Sequence, residues 1–113
     1  MHELSVTQGM LDIALDKARE AQASRITAIN LVIGEMTSIV DDCVQFYFDF
    51  LSKDSIASEA KLSFTRIPMQ VRCRHCGFSF SPDKSVWSCP QCGKWDVEIV
   101  AGQEFYIDSI EVE

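Results

Sequence analysis

Four of the five cysteines in this 113-residue chain stand in two short motifs typical of a metal site. Residues 73–77 and 89–93 both follow the pattern Cys-x-x-Cys-Gly, with the thiols of Cys73, Cys76, Cys89 and Cys92. Two cysteines three positions apart can reach one ion when the glycine after them takes a left-handed conformation, and Gly77 and Gly93 stand at that point. Four thiolates are the ligand set of a closed structural site for Zn(II). The spacing therefore predicts a zinc site.

Other chemistry is open to the same thiols. They could form two disulfides or a redox pair, and an all-sulfur cage could hold iron as in a rubredoxin-like iron protein. The chain opens on Met1-His2-Glu3 without a basic-then-apolar leader, so we expect a cytoplasmic protein whose thiols stay reduced. Because charged residues interrupt every apolar run, we also expect no membrane partner.

Charge distinguishes this chain from zinc proteins that bind nucleic acid. The formal net charge is −7 at pH 7. Residues 69–97 carry four cations against two acids, so the rest of the chain is more acidic still. An acidic body repels phosphate, and we expect no nucleic-acid partner. A zinc-ribbon nucleic-acid or protein-binding module stays as the alternative function. The small cationic excess would compensate the negative charge of four thiolates around zinc.

The sequence also supports predictions for four further side chains. Cys43 falls within the apolar stripe of a predicted helix, so we expect a buried, inert thiol. His75 lies between the cysteines of the first motif and should point outward as an exposed neighbour of zinc, with a Cys-to-His ligand exchange as the alternative. We expect Trp87 and Trp95 to form the core of the small module rather than a stacking platform.

The first three residues could hold a second metal. Methionine is normally trimmed only before a small residue, so the bulky His2 should leave the α-amine on Met1. That amine, the His2 amide nitrogen and the His2 imidazole Nδ1 can close two chelate rings, and Glu3 adds an amide nitrogen or a carboxylate. Such donors in a plane suit Ni(II) or Cu(II) better than zinc. A histidine at position 2 is more often part of a floppy terminus, so chemistry alone leaves both interpretations open.

Hydrophobic periodicity predicts the elements that must position these groups. A first helix should run from near Ser5, where Ser5-Val6-Thr7-Gln8 fits a capping box, to about Gln22. A second helix should begin near Asp41, with Ser38 or Asp41 as its cap. Alternation predicts strands over residues 26–33 and 61–67, and a last strand that combines Ile99 with residues 104–112 and returns to the first domain.

These elements predict an α+β fold. A small mixed sheet of about three strands should carry two helices on one face, and a four-cysteine zinc-ribbon module should be inserted between its strands. We divide the chain into a discontinuous α/β domain, residues 1–68 and 98–113, and a zinc-binding domain, residues 69–97.

Several further motifs occur together across nearly the whole chain. They are Met1-His2-Glu3-Leu4-Ser5, Gly34-Glu35, Phe46 to Phe48, Pro68, the paired cysteine motifs, Gly102-x-Glu104 and Ser109-Ile110-Glu111-Val112. In this combination they resemble the HypA/HybF family of hydrogenase nickel-incorporation proteins.

The resemblance implies a nickel metallochaperone and not an enzyme. Met1, His2 and Glu3 would bind Ni(II), so the α/β domain would be the nickel-binding one, and an acid after the first strand, Asp41 or Asp42, could assist. The implied zinc ligands are Cys73, Cys76, Cys89 and Cys92. The implied partners are a maturation GTPase of the HypB type and the large subunit of [NiFe]-hydrogenase, with urease maturation factors in some organisms.

Overall fold

The computed structural model describes residues 3–82 and 87–113. Its elements, in chain order, are helix α1 (Glu3–Glu20), strand β1 (Ile26–Gly34), a 3-10 helix (Glu35–Thr37), helix α2 (Asp41–Leu51) and strands β2 (Lys61–Ile67), β3 (Gln70–Cys73), β4 (Ser79–Phe80), β5 (Val97–Ala101) and β6 (Phe105–Val112). The strands form two sheets of three strands each. The predicted α+β class with an inserted four-cysteine module is confirmed.

The first sheet is the mixed sheet that the sequence predicts. Its strand order is β2-β1-β6, with β1 parallel to β2 and antiparallel to β6. Branched apolar side chains favour a strand over this central segment. Ile29, Leu31 and Ile33 are all buried, as their alternation predicts. In the register of the sheet, Leu31 pairs with Phe64 on one side and with Ile107 on the other.

The hydrophobic core lies between this sheet and the two helices. It combines side chains of α1, α2 and β1, among them Met10, Leu11, Ala14, Ile29, Ile33, Val44 and Phe48. Because burial of one large apolar side chain is worth about 1.5–3 kcal/mol, this layer supplies most of the hydrophobic stabilisation. Within residues 3–82 and 87–113, no helix has the length and apolarity that a bilayer span requires.

The caps of both helices differ from the predictions. α1 is already helical at Glu3, so Ser5 lies inside the helix and the predicted capping box is wrong. The helix ends at Glu20, two residues before the predicted end. The N-cap of α2 is Val40, which makes no side-chain cap, so the predicted cap at Ser38 or Asp41 is also wrong. Ser38 instead ends the 3-10 helix with a φ of 62°.

The second sheet belongs to the inserted module. Its order is β4-β3-β5, and β3 is antiparallel to both neighbours. Ile99 pairs with Val71 of β3, so the prediction that Ile99 joins the strand returning to the first domain is wrong. Only β6 makes that return. The predicted boundary between residues 97 and 98 falls inside β5. This pairing favours a boundary near Gly102, and the division into two domains stays a prediction.

The second sheet buries little apolar surface. Val71 and Cys73 are its buried residues among those described, whereas Ile99 is 38% exposed. Trp95 is 69% exposed, so the prediction that it belongs to a core is wrong. Trp87 is partly buried. Since so small a sheet has too little core to be stable by packing alone, the cysteine cluster is the feature that can hold it together.

Two glycines join the two sheets through a close backbone contact. The Gly34 N–H donates to the Glu104 carbonyl at 2.7 Å, and the Met36 N–H donates to the Gly102 carbonyl at 2.8 Å. A Cβ atom at Gly34 would lie 2.1 Å from the Gly102 carbonyl oxygen, and Gly102 has a φ of 110°. Both positions therefore need glycine.

Candidate metal centres

The two Cys-x-x-Cys-Gly motifs fold into matching turns. The Gly77 N–H donates to the Cys73 carbonyl at 2.9 Å, and the Gly93 N–H donates to the Cys89 carbonyl at 2.7 Å. Both glycines have positive φ angles, 78° and 76°. This is the left-handed conformation predicted after each motif, and it closes the turn that contains the two cysteines.

The turns bring four free thiols together. The Sγ atoms of Cys73, Cys76, Cys89 and Cys92 all lie within 4.8 Å of one another. The Sγ separation is 3.5 Å between Cys73 and Cys92 and 3.6 Å between Cys76 and Cys89. Sulfurs bound to zinc at about 2.3 Å in a tetrahedron stand about 3.8 Å apart. The cluster therefore has nearly the dimensions of a four-thiolate zinc site.

The four thiols differ in acidity. The backbone N–H of Cys76 is the main group that lowers the pKa of Cys73 to about 7, because it stabilises the thiolate. For Cys76, the Phe78 N–H also acts to lower the pKa, but burial and the neighbouring thiols, Cys89 first, outweigh it and raise this pKa to about 12. Neighbouring thiols thus resist ionising together. A divalent cation removes that conflict, which is why this donor set fits Zn(II).

Ion pairs surround the cluster. Arg72 bonds Glu98, and Arg74 Nη1 lies 3.0 Å from Asp96 Oδ1. His75 is outside the cluster and half exposed, with Nε2 at 3.5 Å from Asp96 Oδ2, so its predicted outward position is confirmed. The local cationic excess is smaller than the count over residues 69–97 suggests, because Glu98 follows that segment and pairs with Arg72.

The predicted nickel donors Met1 and His2 lie outside the described residues, and the third one, Glu3, begins α1. The Glu3 carboxylate accepts a hydrogen bond from the Val40 N–H at 3.3 Å, and its carbonyl accepts one from Thr7 Oγ1 at 2.6 Å. A glutamate of a capping box makes the first kind of bond within its own helix. Here Glu3 makes it across two helices, which ties the start of α1 to the start of α2.

Asp41 also lies at the start of α2 and is engaged by a cation. Arg66 of β2 bonds the Asp41 carboxylate and donates to the Ile39 carbonyl at 2.6 Å. Asp42 is exposed. Residue types alone do not single out Arg66, because the ion pair joins residues 25 positions apart and the alternation in β2 carries no signal of it.

The prediction that Cys43 is buried is wrong. Cys43 is exposed, and so are Phe46 and Phe50. The core contains Val44 and Phe48 instead. Two apolar rows run side by side along α2, and the row with Cys43 flanks the one that faces the sheet.

Comparison with known families decides what these features belong to. The family model described as "Hydrogenase/urease nickel incorporation, metallochaperone, hypA" matches residues 1–112. The chain belongs to the HypA family. The hydrogenase maturation factor HypA of Dehalococcoides mccartyi strain CBDB1 is 48% identical over 113 residues, which cover 100% of this chain and 95% of the relative. The HypA of Caldanaerobacter subterraneus subsp. tengcongensis is 43% identical, with both chains covered in full.

Solved HypA structures share the fold. The solution structure of the nickel metallochaperone HypA from Helicobacter pylori gives a TM-score of 0.72 at 24% identity, covering 99% of this chain and 97% of the other. Another solution structure of a HypA protein gives a TM-score of 0.80 at 24% identity, covering 100% and 97%. As a HypA-family protein, this chain is a nickel metallochaperone of hydrogenase maturation with a four-cysteine cluster that fits structural zinc. The predicted family and the predicted role as a nickel metallochaperone of hydrogenase maturation are confirmed.

Proposed function

We propose that this chain binds Ni(II) at its amino terminus and passes it on for the maturation of [NiFe]-hydrogenase. The observation that carries the proposal is the family match, which extends over residues 1–112 and so includes Met1, His2 and Glu3. The nickel donors would be the Met1 α-amine, the His2 amide nitrogen and the His2 imidazole.

The contacts of Glu3 suggest which of its atoms takes part. Its carboxylate already accepts the Val40 N–H, whereas the first N–H groups of a helix have no partner within the helix. The Glu3 amide nitrogen is therefore the better candidate for the fourth nickel donor. In this arrangement the carboxylate positions the terminus against α2.

The chemistry required is exchange rather than catalysis, so we propose that the protein is not an enzyme. A chelate at a chain end has few rigid walls around it. It can bind nickel and still release the ion to a better ligand set, which a buried site with closed coordination would not allow.

Cys73, Cys76, Cys89 and Cys92 are the residues that we propose as zinc ligands. Bound Zn(II) would neutralise the thiolates and hold the two turns together. The residues around it then present a fixed surface, in which Arg72 and Arg74 are held by Glu98 and Asp96. The zinc-binding module, residues 69–97 in the sequence-based division, would act as this rigid unit together with Glu98.

The partners that we propose are a maturation GTPase of the HypB type and the hydrogenase large subunit, in the cytoplasm. The description of the matching family names hydrogenase and urease nickel incorporation. This description supports urease maturation factors as a second class of partner.

Nickel titration by calorimetry tests the terminal site. The untagged chain should bind one Ni(II), whereas His2→Ala and a variant with one alanine inserted ahead of Met1 should each bind it at least about tenfold more weakly. His75→Ala is the matched control, because His75 is the other of the two histidines. Equal binding by all four proteins would place nickel elsewhere.

Metal analysis tests the sulfur site. Protein produced in iron-replete medium should contain one zinc per chain and remain colourless. A coloured protein with bound iron would instead support the rubredoxin-like alternative.

A further inference from the structure

An apolar row lies on the solvent side of α2. Cys43, Phe46 and Phe50 follow one another at intervals of three and four residues, which places them on one face of the helix. Phe46 is 69% exposed and Phe50 is 67% exposed. We call these three residues the α2 outer row. The opposite face of α2 packs into the core through Val44 and Phe48, so folding does not require the outer row.

Exposed aromatic side chains in a continuous row are typical of a protein-binding surface. The ring of Phe46 is supported edge-to-face by Tyr47, with the ring centroids 5.4 Å apart. An aromatic ring held in place in this way loses little freedom on binding. It is a suitable anchor for a pocket on another protein.

The charges along the α2 outer row indicate which kind of surface a binding partner must present. Asp42 and Asp49 are exposed and seven residues apart, so they follow one border of the row. Residues 41–54 contain four aspartates and one lysine. That lysine, Lys53, holds its ammonium 5.8 Å from the centroid of the Phe50 ring, which shows that a cation can reach this aromatic face. An apolar groove rimmed by lysine or arginine matches both features.

A second copy of this chain does not match the apolar and acidic character of the α2 outer row. A two-fold pair places the same surface on both sides, so the acidic borders of the two rows would meet. Both copies would also carry a formal net charge of −7. An anionic membrane surface is disfavoured for the same reason.

The outer row begins beside Glu3, the proposed nickel-site residue that the structure describes. Val40 immediately precedes α2 and is 49% exposed, and its N–H donates to the Glu3 carboxylate at 3.3 Å. We propose that the α2 outer row docks a second protein through an apolar groove rimmed by basic residues, and that docking holds this protein beside the nickel-binding terminus. The second half of this proposal rests on the proposed function.

Binding measurements with purified proteins test the docking surface. The full chain is titrated with the maturation GTPase and with the hydrogenase large-subunit precursor, at low and at high salt. The double variant Phe46→Ser/Phe50→Ser should bind one of them at least about tenfold more weakly than the wild type. Asp42→Lys/Asp49→Lys should weaken the same complex and reduce its dependence on salt.

Two controls separate docking from folding and from nickel binding. Tyr106→Ser removes an aromatic side chain that is 49% exposed and belongs to β6 rather than to α2, and this variant should bind both proteins like the wild type. Every variant should keep its far-UV circular dichroism, and the aromatic double variant should keep its nickel affinity. Loss of partner binding with retained nickel binding supports the proposal.

Several outcomes would overturn it. Unchanged partner binding by the aromatic double variant refutes the docking surface and leaves nickel delivery intact. A wild-type dimer that this variant abolishes would assign the row to a second copy, and binding of the wild type to anionic vesicles would assign it to a membrane. Failure of the wild type to bind either protein refutes the docking surface and the proposed partners together, while the nickel titration reports on the terminal site separately.

Discussion

The two sheets of this protein are held together by different physical means. The first sheet is covered by helices, and the layer between them buries large apolar side chains such as Leu31 of β1 and Phe48 of α2. The second sheet buries Val71 and Cys73 among its described residues and depends on four thiols within 4.8 Å of one another. Packing can stabilise the first sheet, whereas the second needs a metal ion. The comparison predicts that each can be disrupted without the other.

The two proposed metal sites differ in a corresponding way. The sulfur cluster is assembled from two turns, which hold its donors on several sides. The proposed nickel donors lie at one chain end, where Glu3 contacts α2 through its carboxylate. A site closed on several sides by two turns retains its ion, and a site at one end of the chain can release it.

Loss of zinc should have the largest effect and should be confined to the second sheet. Cys89→Ser, or removal of zinc by a chelator, should abolish hydrogen-exchange protection in β3 and β5, since structural zinc can contribute roughly 10–16 kcal/mol to folding. Amide exchange measured by NMR should leave β1 protected. Cys43→Ser is the matched control, because this thiol is exposed outside the cluster. Collapse of both sheets together would contradict the comparison.

Truncation of the core should destabilise the first sheet alone. Phe48 is 1% exposed, so Phe48→Ala should lower the free energy of unfolding by about 3–5 kcal/mol. Phe46→Ala, on the exposed side of the same helix, should change it by less than about 0.5 kcal/mol. Urea denaturation followed by circular dichroism measures both variants, and the zinc content should not change. Equal losses would mean that Phe46 packs in the core.

A substitution at the junction should have a smaller effect on both sheets. A Cβ at position 34 would lie 2.1 Å from the Gly102 carbonyl oxygen, so Gly34→Ala should cost about 1–3 kcal/mol by displacing this backbone contact. Gly9→Ala is the control, because nothing lies within 4 Å of a Cβ there and helix propensity should stabilise α1 by about 0.5–1 kcal/mol. Thermal unfolding distinguishes the two. An unchanged unfolding temperature for Gly34→Ala would show that the backbone at the junction can shift to make room for the Cβ atom.

Loss of the surface ion pair at α2 should have the smallest effect. The side chains of Asp41 and Arg66 are 37% and 36% exposed, so Asp41→Asn should cost no more than about 1 kcal/mol. The effect should shrink further in high salt, measured by urea denaturation. A larger loss that persists in salt would indicate that the pair is required to hold Ile39 and the start of α2.

Local chemistry accounts for the features that could be predicted. The bounds of β2, Lys61–Ile67, follow from alternation that ends before Pro68. The left-handed conformations of Gly77 and Gly93 follow from the motif that each one closes. In these segments the preferences of neighbouring residues agree with the final structure, so the pattern of residue types is sufficient.

The errors share a different origin. Cys43 and Ile99 both lie in apolar patterns of the right period. The pattern predicts that Cys43 packs in the core and that Ile99 joins the first sheet, whereas Cys43 faces solvent and Ile99 pairs with Val71. The exposure of Trp95 has the same cause, since a large aromatic residue predicts a core only where enough other residues surround it. The cap of α2 was missed because Glu3, its hydrogen-bond acceptor, belongs to another helix.

The amino-acid sequence by itself determined the α+β class, the four sulfur donors and the family, because these depend on residue types at short and fixed spacings. Only the tertiary structure decided that Cys43 is exposed, which sheet receives β5 and what Glu3 contacts. Those outcomes depend on contacts between residues far apart in the chain, such as Ile99 with Val71 and Glu3 with Val40. Hydrophobic periodicity shows that a residue needs a neighbour, but long-range packing selects the neighbour.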